Sequence, residues 1–225
     1  MKRLVKLSAA EGIRGQLNRI IQKIRDKRFK SGDYWEKRYA KGGTSGAGSY
    51  GDLARYKAEV VNAFVEENNI QRVIEFGCGD GHQLSHFRIP EYCGLDVSRT
   101  IIKRCTERFR GDPTKRFFWY DNTSPFTDPM IGRADLTLSV DVLFHLVEDD
   151  VFLAYIETLF GHSDKYVLIY STNFYRSYKS PHQLDRKVTK TIQERVDDFE
   201  LLETIINPHK GSDTMSDWFI YKKRK

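Results

Sequence analysis

The sequence predicts an α/β protein with a doubly wound, mostly parallel seven-stranded sheet, and three observations carry that reading. From residue 72 onward, short apolar bursts alternate with stretches of helical spacing. The last two bursts, FELLETIIN (199–207) and DWFIYKK (217–223), are separated only by the polar PHKGSDTMSD, which leaves no room for a crossover helix, so they form an antiparallel hairpin. The first burst runs straight into a glycine-rich turn, VIEFGCGDGHQL (73–84), at the place where such sheets bind nucleotides.

The elements follow in order. Ile13, Leu17, Ile20, Ile21 and Ile24 give residues 10–28 the spacing of a basic amphipathic helix. Ser31 or Asp33 can cap a second, short helix that carries YWEKRYA. KGGTSGAGSYG (41–51) holds five glycines and reads as a mobile loop or lid, not a packed element. Leu53, Tyr56, Val60, Ala63 and Phe64 share one face of a helix over 52–68. Strands are expected at RVIEF (72–76), YCGLDV (92–97), RFFWY (116–120), ADLTLSV (134–140) and KYVLIYS (165–171). Helices fall between them at 98–109 and 148–160, with a helical turn after Gly81. Helices between parallel strands cover both faces of the sheet.

The chain has 225 residues, enough for one domain with a small appendage. No apolar run reaches the roughly 18 residues that span a bilayer, and the basic N-terminus lacks the continuous apolar core of a signal peptide. Cys78, Cys93 and Cys105 are odd in number and form no CxxC pair, so neither a disulfide framework nor a zinc site is indicated, and no metal is expected. The chain is read as cytoplasmic. The net charge of +6 would suit an anionic partner, but much of the excess sits in YKKRK at the C-terminus and in residues 14–30, where Asp26 is the sole acid. Charge alone therefore does not point to nucleic acid.

Gly77, Gly79 and Gly81 permit a tight turn and close approach of the backbone. The spacing departs from GxGxxG, with His82 in the wrong register, and GxxxxGK[ST] is absent, so neither a dinucleotide nor a triphosphate is the expected ligand. Asp96, fifteen residues after Gly81, closes the second strand, where an acid can accept from a ribose diol. Glu75, Asp96 and the glycines together suggest a nucleoside without a pyrophosphate; the alternative for Asp96 and Asp121 is that each caps the next helix or turn.

On these residues the sequence resembles the seven-stranded, Rossmann-like class I S-adenosylmethionine-dependent methyltransferases. EFGCGDG is similar to their first motif, GLDVS to the second, Asp121 in FFWYDN to the third and ADLTLSVDVLFHL to the fourth, in order, over about residues 30–222. The resemblance implies S-adenosyl-L-methionine as cofactor, with Gly77, Cys78, Gly79 and Gly81 holding its methionine part and Glu75 bracing the loop through backbone N–H groups. It implies Asp96 on the ribose, Val97 and Ser98 beside the adenine, Asp121 accepting from the adenine amino group with Asn122 adjacent, and Ser139 at the end of the fourth strand. It divides the chain into an N-terminal helical extension and lid (1–50) and a methyltransferase domain (51–225). The lid brings Tyr39, Tyr50 and Lys57 toward the cofactor carboxylate or the acceptor, whereas Trp35 is expected to pack.

Methyl transfer needs alignment and, for a hydroxyl acceptor, a proton acceptor. In SVDVLFHL, Asp141 and His145 are four apart and share a face if the segment is helical, with a helix cap and a packed histidine as their alternatives. STNFYRSYKSPHQLDRK (171–187) supplies Asn173, Tyr175, Arg176, His182 and Arg186 for acceptor binding, with His182 as a second base and a helix expected after Pro181; the alternative is a solvated surface helix. Related bacterial and phage methyltransferases carry HxRHRRF where this chain has HQLDRKV, so only His182 and Arg186 match. The expected reaction is O-methylation of a small polar acceptor such as a sugar or glycan. RNA or protein methylation is the alternative, although SVDV stands where a base N-methyltransferase has DPPY or NPPY. A catalytically inert cofactor-binding subunit, docking a partner through residues 10–28, is the third.

Overall fold

The computed structural model describes residues 29–175, 180–211 and 214–224. The expected helix over 10–28 lies outside them, as do Arg176, Tyr178 and Lys179. Residues from Ser31 onward form one compact unit. Its helices are α1 (Ser31–Ala40), α2 (Gly51–Glu67), α3 (Arg99–Arg108), α4 (Asp149–Gly161) and α5 (Val188–Arg195). Its strands are β1 (Arg72–Phe76), β2 (Glu91–Asp96), β3 (Lys115–Trp119), β4 (Ala134–Val140), β5 (Ser163–Ser171), β6 (Phe199–Ile205) and β7 (Asp217–Lys223).

The seven strands lie in the order β3-β2-β1-β4-β5-β7-β6. β1, β2, β3, β4 and β5 are parallel, and β7 is antiparallel to both β5 and β6. Strand order reverses between β1 and β4. The crevice above their carboxyl ends is the position such a sheet offers a ligand.

Successive residues of β1 feed opposite faces of the sheet. Val73 joins a core with Leu136, Leu138, Tyr170 and Trp218, covered by Ala58, Val61, Phe64 and Val65 of α2. Ile74 and Phe76 join a second core with Leu95, covered by Phe152, Tyr155, Ile156 and Leu159 of α4. All of β1 except Arg72 is buried, as in a strand covered on both sides. Each fully buried Val, Ile, Leu or Phe side chain here contributes about 2 kcal/mol of transfer free energy. Among the described residues, no helix is long and apolar enough to cross a membrane.

One local expectation fails. Residues 181–187 are not helical, and α5 begins only at Val188. The Leu184 N–H donates to the Phe144 carbonyl at 2.8 Å, and Arg186 donates to the carbonyls of Leu146 and Val147. The segment is held against the β4–α4 loop, so His182 and Arg186 do not share a helical face. The segment 141–146, in which Asp141 and His145 would share a face if it were helical, holds a 3-10 turn at Leu143–His145, preceded by Asp141 with φ of +58°. A left-handed residue ends any helix before it starts. After Gly81 the chain makes the expected helical turn, a 3-10 turn at Gln83–His86.

Candidate active site

A cleft of about 750 Å³, counting its open mouth, lies at the carboxyl ends of β1, β2, β3 and β4. The turn after β1 forms its floor. The N–H groups of Gly77 and Cys78 both donate to the Leu95 carbonyl, which ties the turn to β2. Gly77 and Gly79 have φ of +80° and +57°. A Cβ at Gly77 would run into Val142, and one at Gly79 into the Ser45 hydroxyl. Both neighbours line the cleft. The glycines thus bring two walls of the site together. Gly81, φ +71°, makes room for Phe109 and lies off the lining.

Asp96 is buried at the end of β2 and lines the cleft. Its Oδ2 accepts from the Gly79 N–H at 3.1 Å and its Oδ1 from the Ser98 N–H at 2.9 Å. Burial pushes its carboxyl up to about 6 despite these bonds. A carboxylate has about four acceptor positions, so acceptor capacity remains for a ligand hydroxyl beyond the backbone N–H groups of Gly79, Ser98 and Val97. Glu75, also buried and lining the cleft, accepts from the Tyr92 hydroxyl, not from the loop N–H groups expected of it. Burial pushes it up to about 7, against the Tyr92 bond and the nearby Lys57 charge.

The third strand delivers Asn122 in place of Asp121. Asn122 is buried and lines the cleft. Asp121 is exposed and accepts from the Thr123 N–H at 2.9 Å, so the expected adenine acceptor turns away. Val97 lines the cleft. Ser98 does not: it caps α3 by accepting from the Ile101 N–H, and donates to Glu36. Ser139 is buried beneath the site, accepting from the Tyr155 hydroxyl. Cys78 lines the cleft, its thiol pushed up first by the neighbouring Cys105 and then by burial.

The glycine-rich segment 41–51 is docked rather than loose. The Ser45 N–H donates to Asp80 Oδ2 at 2.8 Å, and the Asp80 N–H donates to Ser45 Oγ at 2.9 Å. The Tyr50 hydroxyl donates to the same Asp80 oxygen, with its ring stacked on His82 at 4.1 Å. These bonds hold Asp80 below the usual carboxylate range, although burial opposes them. Tyr39 lines the cleft, its hydroxyl 3.2 Å from Ser45 Oγ, whereas Tyr50 serves the Asp80 clasp.

A second cavity of about 1,620 Å³, again counting open space, adjoins the first. Trp35, Ser45, Ser49, Asp141 and His145 line both. Asp141 is paired with Lys57 at 2.6 Å. Lys57 is wholly buried behind it and lines neither cavity. His145 Nδ1 lies 2.9 Å from the His182 carbonyl, so the ring donates from Nδ1 and keeps Nε2 as acceptor. Burial brings His145 down to about 4, against that bond and the Asp141 charge. His182 lines the second cavity, stacked on Tyr34 at 4.7 Å, and the edge of Trp35 meets His145 at 4.9 Å.

The other expected acceptor contacts do not gather here. Asn173 caps α5, accepting from the Thr189 N–H. Arg186 holds the carbonyls of the β4–α4 loop and Asp149. Tyr175 is 71% exposed and lines neither cavity. Sequence reasoning missed Trp35, Ser45 and Asp80; the register of the GGTSG stretch against the β1 turn was the information needed, and it exists only in the fold. Among the described residues, no group of three or more His, Cys, Asp or Glu side chains is placed to hold a metal.

No family model and no curated protein matches the chain. Solved structures do. The methyltransferase domain of bacterial CtHen1-C is 17% identical, with a TM-score of 0.60 over 77% of this chain and all of that one. Magnesium protoporphyrin IX methyltransferase from Synechocystis PCC 6803, with bound SAH, is 13% identical, with a TM-score of 0.61 over 85% of this chain and 97% of that one. The N-methyltransferase NodS from Bradyrhizobium japonicum WM9, with S-adenosyl-L-homocysteine, is 13% identical, with a TM-score of 0.61 over 76% and 86%. The fold of this chain is the one these methyltransferases share.

Proposed function

We propose that the chain is an S-adenosyl-L-methionine-dependent methyltransferase acting on a small polar acceptor such as a sugar or glycan hydroxyl. One observation carries the reading: Asp96, the glycine turn and Asn122 converge on one cleft, and that cleft meets a second cavity at Asp141 and His145. A donor and an acceptor site joined at titratable side chains is what group transfer between two molecules requires.

The residues fit the cofactor. Asp96 has free acceptor positions for a ribose diol. Asn122 can donate and accept at the edge of an adenine, with Val97 against its face. Glu75 and the turn carbonyls offer acceptors to the amino group of its methionine part. When bound, the cofactor supplies a methyl group on a sulfonium, a good leaving group. The chain's share is to exclude water and align the acceptor. Ser45 and Tyr39 close the donor cleft, and Trp35 walls the junction. His145, neutral above about pH 5, presents Nε2 as a proton acceptor for a hydroxyl, and Asp141 is the other acceptor at the junction. Aromatic rings and hydroxyls around the second cavity support a sugar-like acceptor. The fold likeness to the small RNA methyltransferase HEN1, 13% identical with a TM-score of 0.60 over 79% of this chain and 26% of that one, supports RNA as the second acceptor class.

Calorimetry with S-adenosylmethionine and S-adenosylhomocysteine tests the cofactor, with NAD and ATP as controls. Binding of the first two alone at about micromolar Kd is expected. Silence from both in folded protein overturns the reading.

A further inference from the structure

The wall of the second cavity contains a carboxylate with no use so far. Asp185 is 9% exposed and lines that cavity. Its Oδ1 accepts from the Thr172 hydroxyl at 2.7 Å. Its other oxygen has no partner among the described residues, and no described cation pairs with it. Asp185 lines the cavity, so a donor or an opposite charge on a bound molecule can reach that oxygen.

Its direction is fixed on both sides. Leu184 is bonded to the Phe144 carbonyl, and Arg186 to the carbonyls of Leu146 and Val147. Asp185 stands between two pinned neighbours that hold its backbone in place, and the Thr172 bond holds its side chain. Tyr34, Trp35, Phe144, Tyr170 and Phe174 line the same cavity and present aromatic surface. Its other charged groups are committed. Asp141 is neutralised by Lys57, and Arg38 donates to the Thr44 carbonyl with its guanidinium 5.6 Å from the centre of the Trp35 ring. A fixed, buried, unpaired carboxylate among aromatic rings is the arrangement that recognises an organic cation.

We infer that the second cavity takes an acceptor bearing a protonated amine, which Asp185 anchors. The amine is the handle by which the acceptor is held, and the methylated atom lies elsewhere on it, toward Asp141 and His145. This inference rests on the reading of the second cavity as the acceptor site.

The test is calorimetry on the full chain saturated with S-adenosylhomocysteine, with two matched pairs of probes: benzylammonium against benzyl alcohol, and glucosamine against glucose. Each ammonium is expected to bind about tenfold or more tightly than its neutral partner. Asp185→Asn is expected to erase that preference and leave the S-adenosylhomocysteine affinity unchanged. Thr172→Val, which removes the hydroxyl but keeps the charge, is expected to preserve it. Equal binding within the wild-type pairs, no binding of either ammonium, or a preference that survives in Asp185→Asn overturns the inference. The cofactor titration is read first. Its failure would sink the methyltransferase reading, whereas its success with no ammonium preference would sink only this one.

Discussion

Lys57 Nζ lies 2.6 Å from Asp141 Oδ2, with the lysine side chain wholly buried and that of the aspartate 21% exposed. The pair therefore has a dry end and a wet end. The lysine also sits 5.3 Å from the centre of the Tyr170 ring, which adds attraction from the ring face. Lys57→Met strands a carboxylate at a left-handed backbone position. It is expected to lower stability by about 3 kcal/mol, or about 6–12 °C in Tm. Lys57→Met with Asp141→Asn should recover most of that loss. A single variant that melts with the wild type would mean the pair is not holding the loop after β4.

Each oxygen of Asp96 accepts a backbone N–H, one from Gly79 and one from Ser98. An amide in its place must set its NH2 against one of those donors. Asp96→Asn is therefore expected to damage the turn nearly as much as Asp96→Ala, both weakening S-adenosylhomocysteine binding by more than about tenfold. If only ribose contact mattered, the asparagine would be mild. Titration of both variants, with circular dichroism as a check on folding, separates the two.

The Ser45–Asp80 clasp ties a segment with five glycines to the cofactor turn. Asp80→Ala removes the acceptor shared by the Ser45 N–H and the Tyr50 hydroxyl. Proteolysis within 41–51 is expected to speed up about tenfold, and S-adenosylhomocysteine to dissociate faster. Tyr50→Phe removes one of these bonds, worth about 1 kcal/mol, and should fall between the two. Unchanged cleavage in Asp80→Ala would show that the segment is held by other contacts.

The strands, the terminal hairpin and most of the helices were legible in the sequence because they follow from period and length. RVIEF, buried from Val73 to Phe76, and the short link before DWFIYKK allow few other arrangements. Gly77, Gly79 and Asp96 come to one cleft because a turn and a strand end place them locally, whereas Asp121 and Ser98 are turned to caps. The acceptor side was not legible in the same way. Arg186 and Asn173 look like substrate ligands by type, yet one is spent on backbone carbonyls and the other on a helix cap. Asp185 sits between them in the chain and looked like part of a charged surface run. Only the hydrogen bonds flanking it show which way it faces. A residue whose role depends on a loop packed about forty positions away carries no local signature.

Glu75 and His145 are shifted in opposite senses, and the signs predict an offset. Burial raises Glu75 to about 7 from an ordinary 4.5, so its contribution to stability is full below pH 4.5 and is lost as pH rises through 7. Burial lowers His145 to about 4 from 6.5, so its contribution is full above pH 6.5 and is lost as pH falls through 4. Between pH 4.5 and 6.5 the folded chain holds a proton at Glu75 that the unfolded chain releases, and lacks one at His145 that the unfolded chain takes up. The two slopes oppose each other at up to about 1.4 kcal/mol per pH unit each, with the histidine's share reduced because its ring opens onto the cavities. Glu75→Gln removes one side, so relative to wild type its stability should rise with pH across that window. His145→Gln removes the other and should fall. Urea unfolding at pH 4.5, 5.5 and 6.5 reads both differences. Parallel stability curves for all three proteins would mean that neither group changes its proton affinity on folding, and His145 would then lose its standing as a neutral acceptor at the junction of the two cavities.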